Sequence, residues 1–126
     1  MIYKTQTHYP IDTVKSQLKE KAKSVGFGIL GSYEFKKILK NKGFEIEKDI
    51  TVYELCNPSA AASALNTLAE ISVYLPCRLS IYDENGVTIL STIGIEDILS
   101  STGIEGELKQ HMQEIFEKIR ALMNSW

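Results

Sequence analysis

The chain opens on period-two alternation: Tyr3, Thr5, Thr7 and Tyr9 fall on one side and Ile2, Lys4, Gln6 and His8 on the other. This spacing predicts a strand, ended by Pro10. The period then lengthens. Val14, Leu18, Ala22 and Val25 recur three and four apart, with Lys15, Lys19, Lys21 and Lys23 elsewhere on the wheel, so a helix with one inward stripe follows from Ile11. Asp12 in its first turn complements the helix dipole, and Gly26 stands where a left-handed cap is needed.

Phe27 to Tyr33 reads as a second short strand. Its glycines, Gly28 and Gly31, mark points where another backbone or a helix comes close. Glu34 to Lys42 carries Phe35, Ile38 and Leu39 at helical spacing and stops at Gly43. Phe44 to Lys48 is too charged for a central strand. Thr51 to Cys56 reads as a third strand, broken by Asn57-Pro58. Ser59 is positioned to cap the run Ala60 to Ala69, whose small residues suit a buried helix lying close on a sheet. Cys77 to Asp83 and Val87 to Ile93 flank Asn85-Gly86, a strong hairpin signal. Glu96 to Leu99 suits a helical turn, and Leu108, Met112, Ile115, Ile119, Leu122 and Trp126 mark a long terminal helix from about Ile104.

This order predicts one α+β domain over residues 1–126: a mainly antiparallel five-stranded sheet with helices packed on one face. A doubly wound parallel sheet fits less well, because the last two strands are joined by a turn and not by a crossover. With 44% hydrophobic and 24% charged residues in 126, the chain is long enough for one core and short for two. No apolar window reaches membrane-span length, and the first ten residues lack a leader-like apolar segment. Two cysteines make no disulfide framework, so a reducing, cytoplasmic setting is the simpler expectation.

Charge is unevenly distributed. Residues 1–48 hold ten Lys against five acids, and residues 49–126 hold four Lys or Arg against eleven acids. Such asymmetry can draw anions or nucleic acid to one surface. Solvation of two amphipathic helices explains the lysines more simply, and an acidic whole makes a dedicated nucleic-acid binder unlike this chain.

Two phrases surround the cysteines, Cys56-Asn57-Pro58 and Leu75-Pro76-Cys77-Arg78. Together with the lysine-rich stretch Leu18 to Leu30 and the hairpin up to Val87, they resemble the bacterial and archaeal family catalogued as domain of unknown function 302 (DUF302). The resemblance implies a fold similar to the TATA-binding-protein-like β-α-β4-α class, with a curved sheet, and implies homodimers. It implies no DNA binding, since fold does not carry function, and it supplies no catalytic residue. The family's acidic position after the Gly-Phe strand is met by Glu34. Its proline after the last strand is replaced by Gly94-Ile95.

The cysteines are the first candidates for chemistry. If their strands are neighbours, Cys56 and Cys77 lie at one end of the sheet, as a thiol pair for redox or sulfur transfer or as two ligands for a soft metal. The plainer reading makes them small buried hydrophobes. A structural zinc needs four ligands, and His8 and His111 stand far apart without a close-spaced partner; no metal or cofactor is expected. Asn57-Pro58 suits a helix start, where free N–H groups can hold an anion with Arg78 nearby. Glu54, Arg78, Ser80 and Tyr82 form a polar strand face that could line a pocket. No serine-nucleophile, phosphate-loop or dinucleotide motif is present. The expectation is a homodimeric, noncatalytic module binding a small anionic ligand near Cys56, Asn57, Pro58, Cys77 and Arg78. A thiol-dependent enzyme or carrier, and a structural or regulatory protein-interaction domain, are the alternatives.

Overall fold

The computed structural model describes residues 1–126. Five strands, β1 (Ile2–Thr7), β2 (Gly28–Glu34), β3 (Ile50–Cys56), β4 (Cys77–Glu84) and β5 (Val87–Ile93), form one open sheet in the order β1-β5-β4-β3-β2. Every neighbouring pair is antiparallel. Helices α1 (Ile11–Ser24), α2 (Phe35–Asn41), α3 (Pro58–Thr67), α4 (Ile95–Thr102) and α5 (Gly106–Met123), with a 3-10 segment at Ala69–Tyr74, complete an α+β fold.

The first two strands sit at opposite edges of the sheet, and α1 is long enough to join them. Its 14 residues span about 21 Å at 1.5 Å each, against about 19 Å for four interstrand gaps. Its inward stripe is the one the spacing predicts: Val14, Leu18 and Ala22 are fully buried. The strand register assigns the faces. Leu55, Leu79, Ile81 and Leu90 join the α1 stripe, Ile95 and Ile98 of α4, and Leu108, Met112, Phe116, Ile119 and Leu122 of α5 in one core cluster. Ile50, Val52, Tyr82 and Ile89 point the other way and lie outside that cluster. The hairpin closes on Asn85 and Gly86, both at positive φ (53° and 82°), the backbone a two-residue turn of this hand requires.

Several boundaries differ from expectation for local reasons. β1 ends at Thr7 and not at Tyr9, because the Tyr9 N–H donates to Thr7 Oγ1 at 3.2 Å and bends the chain toward Pro10. The Glu96 turn is a full eight-residue helix that buries Ile95 and Ile98. Residues 44–48 form no regular element. The terminal helix stops at Met123; beyond it the Trp126 indole N–H donates to Gln17 Oε1 at 3.0 Å, and Lys21 Nζ lies 4.4 Å from the ring, so the tail folds onto α1. The expected buried α3 is not buried: only Ala64 is withdrawn from solvent.

These faces make a test. Leu79→Ala should lower unfolding free energy by about 2–5 kcal/mol in urea titration. Ser80→Ala, the next residue on the opposite face, should change it by less than about 0.5 kcal/mol. Similar losses from both would contradict the orientation of β4.

Candidate functional site

Antiparallel neighbours place the end of one strand beside the start of the other. Leu55 of β3 pairs with Cys77 of β4, and Cys56 pairs with Gly28 of β2, so the two cysteine-bearing junctions meet at one end of the sheet. Between that end, α3 and α5 lies a half-open cavity of about 290 Å³. Leu55, Cys56 and Asn57 contribute from β3, Leu75, Pro76 and Cys77 from the approach to β4, and Met112 and Ile115 from α5. Ala60, Ala61, Ala64 and Leu65 of α3 form the facing wall, and Phe27 and the β2 bulge residue Leu30 close one side. Twelve of the 15 lining residues are hydrophobic, and none is Lys, Arg, His, Asp or Glu. The Leu75–Pro76 peptide bond is cis.

The start of α3 differs from expectation. Asn57, not Ser59, is the N-cap: its Oδ1 accepts from the Ala60 N–H at 3.1 Å, and Pro58 takes the first helical position. The cap moves upstream because Pro58 has no N–H to leave unsatisfied and its fixed φ is already helical. This arrangement also decides what the helix end can bind. Pro58 offers no donor, the Ala60 N–H is held by Asn57 Oδ1, and the Ala61 N–H by the Asn57 carbonyl. Little of the anion-binding set of a free helix start remains. Asn57 also needs Gly26, which ends the α1 turn at φ +88° and where an added Cβ would come within 3.2 Å of Asn57 Nδ2.

Of the residues singled out from the sequence, Cys56, Asn57 and Cys77 converge on the cavity and Pro58 directs the helix that walls it. Arg78 does not join them. Alternation along β4 turns it to the opposite face, where it pairs with Glu54 (3.9 Å) and is 59% exposed. Glu54 also accepts from the Tyr33 hydroxyl at 3.0 Å, in space that Gly31 leaves free: a Cβ there would meet Glu54 Oε1 at 3.0 Å. The hydrogen bond to Glu54, and then its negative charge, push the Tyr33 hydroxyl pKa up. This polar face is therefore separate from the cavity. His8 and His111 are both exposed, and no three His, Cys, Asp or Glu side chains converge.

Burial pushes the Cys77 thiol up to about 11, with the neighbouring Cys56 adding to it. Cys77 is thereby held as a neutral thiol, while Cys56 is partly open to solvent. The lysine-rich half has a structural outlet: Lys15 lies 3.8 Å from Glu34 and 3.9 Å from Asp49, Lys37 3.0 Å from Glu34, and Lys48 3.4 Å from Glu84. Acids from beyond residue 48 thus meet lysines from before it.

Sequence reasoning did not find the cavity's other walls. Ala60, Ala61, Ala64 and Leu65 share one helical face, but that signal read as tight packing on the sheet. Met112 and Ile115 belong to a stripe that read as core alone.

Fold and site together define an open antiparallel α+β module whose two conspicuous sequence phrases enclose an apolar cavity at one sheet end. The chain belongs to the DUF302 family, domain of unknown function DUF302, whose model matches residues 3–126. It is similar to the crystallised uncharacterized conserved protein DUF302 from Bacillus stearothermophilus, with 26% identity over 98% of this chain and 95% of that one, at a TM-score of 0.89. No curated protein matches it.

The two thiols should respond differently. At pH 8 iodoacetamide should label Cys56 in the native protein and Cys77 only on unfolding, as read by mass spectrometry; equal labelling rates would contradict the burial of Cys77. Because the native state keeps the Cys77 proton up to about pH 11 while an unfolded chain releases it near the ordinary thiol pKa, stability should fall as pH rises through that window. The loss is about 2–3 kcal/mol, and Cys77→Ala should lack it in denaturation curves compared across pH.

Proposed function

We propose that the protein is a noncatalytic module that takes a small, largely apolar ligand into the cavity at the β3–β4 end, and that it works as a homodimer. The observation that carries this reading is the cavity itself: about 290 Å³, walled mainly by hydrophobic side chains and bounded by both cysteine junctions. An apolar cavity of about 150 Å³ suffices for benzene, so this one has room for a ligand about twice that size. Each Å² of its apolar wall that a ligand covers stabilises the complex by about 25 cal/mol before the cost of association.

The anionic ligand expected from the sequence loses its support. Arg78 faces away, Pro58 has no N–H, and the Ala60 and Ala61 N–H groups are already bonded, which leaves the Ser59 N–H as the one free donor of the first turn. A carboxylate in this cavity would give up water without meeting a counter-charge. The thiol-carrier alternative loses Cys77, because the reactive form is the thiolate and burial keeps Cys77 protonated; it would rest on the partly open Cys56 alone. A reducing cytoplasm suits two free thiols in such a wall. The homodimer rests on the family resemblance. The sheet face bearing the half-buried Ile50, Val52 and Tyr82, outside the core cluster, offers apolar area for a second copy.

Filling the cavity tests the binding role. Ala61→Phe should weaken naphthalene binding at least about tenfold by fluorescence titration, since an added ring occupies the ligand's space, while the far-ultraviolet circular dichroism stays that of the wild type. Unchanged affinity would remove the cavity as the site. For assembly, light scattering should report twice the chain mass, and Val52→Lys should halve it; a monomeric wild type would refute the dimer.

A further inference from the structure

The cavity wall is almost uniformly apolar, which gives its few polar atoms disproportionate weight. Apart from the thiols, only Asn57 and Ser72 bring polar side chains to it, and Ser72 belongs to the 3-10 segment and is exposed to solvent. Asn57 is held more firmly. Its Oδ1 accepts from the Ala60 N–H, and because only the amide oxygen can accept, that bond also fixes which way the NH2 group points. Nδ2 lies beside Gly26, close to where a Cβ would stand, and donates to no protein acceptor. The lining thus holds an amide whose Nδ2 no protein acceptor uses, beside the two thiols and the Ser72 hydroxyl, with no formal charge on any lining residue and room for about twelve non-hydrogen atoms by scaling from benzene.

We propose that the cavity selects an uncharged ligand of about that size bearing a single hydrogen-bond acceptor, such as a ketone, ester or ether oxygen, and that Asn57 Nδ2 is the donor that reads it. This rests on the cavity being the ligand site. A wholly apolar ligand of the same shape covers the walls but desolvates Nδ2 without replacing its hydrogen bond to water, which costs affinity. A charged ligand meets no counter-charge and loses its hydration. The acceptor-bearing neutral ligand avoids both penalties. Asn57 consequently has two linked duties, starting α3 through its oxygen and orienting ligand through its nitrogen.

Three probes of one shape separate these ideas: 2-acetylnaphthalene, 2-ethylnaphthalene and 2-naphthoate, measured by calorimetry or fluorescence on the intact protein and on Asn57→Asp. Aspartate keeps a capping oxygen and has no donor when ionised. In the wild type the ketone should bind about tenfold more tightly than the ethyl compound, on the scale of one net hydrogen bond, and naphthoate should bind least. In Asn57→Asp the advantage of the ketone over the ethyl compound should vanish, read as the ratio of the two affinities, because neither ligand can then accept a hydrogen bond from residue 57. Asn57→Ser, which caps with a shorter side chain, serves if the aspartate variant does not fold. Equal binding of ketone and ethyl compound in the wild type, or an advantage that survives both variants, would overturn the role of Asn57 and leave the cavity reading intact. Tightest binding of naphthoate would overturn selection for an uncharged ligand. Failure of all three probes to bind would overturn the cavity reading itself.

Discussion

The pairing of β3 with β4 governs the rest of the molecule. Its register, Leu55 against Cys77 and Thr51 against Ile81, sets which side chains face the helices. A one-residue slip would send Leu79 and Ile81 to the solvent face and bring Arg78 and Ser80 into the core. Because the pair is antiparallel, the same register brings the end of β3 beside the start of β4. Two phrases well separated in the chain become one corner, and the segment between them, α3 with its 3-10 continuation, has to arch over that corner.

The cavity follows from how that arch is built. Asn57 and Pro58 direct α3 away from the sheet end, and its inward face offers Ala60, Ala61 and Ala64 where larger residues would fill the gap. Met112 and Ile115 of α5 and Phe27 at the head of β2 form the remaining walls. A gap of this kind withholds dispersion contacts from the atoms around it, so the folded chain carries an apolar surface that a ligand can cover. Small residues on a helix are ambiguous in this respect: they permit close approach, and they leave space when the helix is held off.

Electrostatics is arranged around the cavity and not within it. The Glu54, Tyr33 and Arg78 cluster occupies the opposite sheet face, and lysines of α1, α2 and the following segment meet Glu34, Asp49 and Glu84. Such exposed pairs contribute little individually to stability, and they engage Lys15, Lys37 and Lys48 while leaving the other lysines of the first half without an acidic partner. Cys77 belongs to the apolar interior on the same grounds, since its surroundings disfavour the charged form.

Much of the fold was legible because the residues that build it speak locally. The α1 stripe, the Asn85-Gly86 turn and the strand alternation each report a backbone state through steric and hydrophobic preferences that act over a few residues, and the two cysteine phrases carried the family. Other features depend on partners distant in the chain. That Arg78 turns from the cavity needs the β4 register, that α3 stays exposed needs the position of α5, and that Asn57 takes the cap from Ser59 needs the whole turn at the end of β3. By itself, then, the sequence determined the elements, their order and the importance of the two junctions, because those rest on nearest-neighbour physics. Only the tertiary structure decided that the junctions enclose an apolar space free of formal charge, because a cavity is defined by what packing from several elements leaves unfilled.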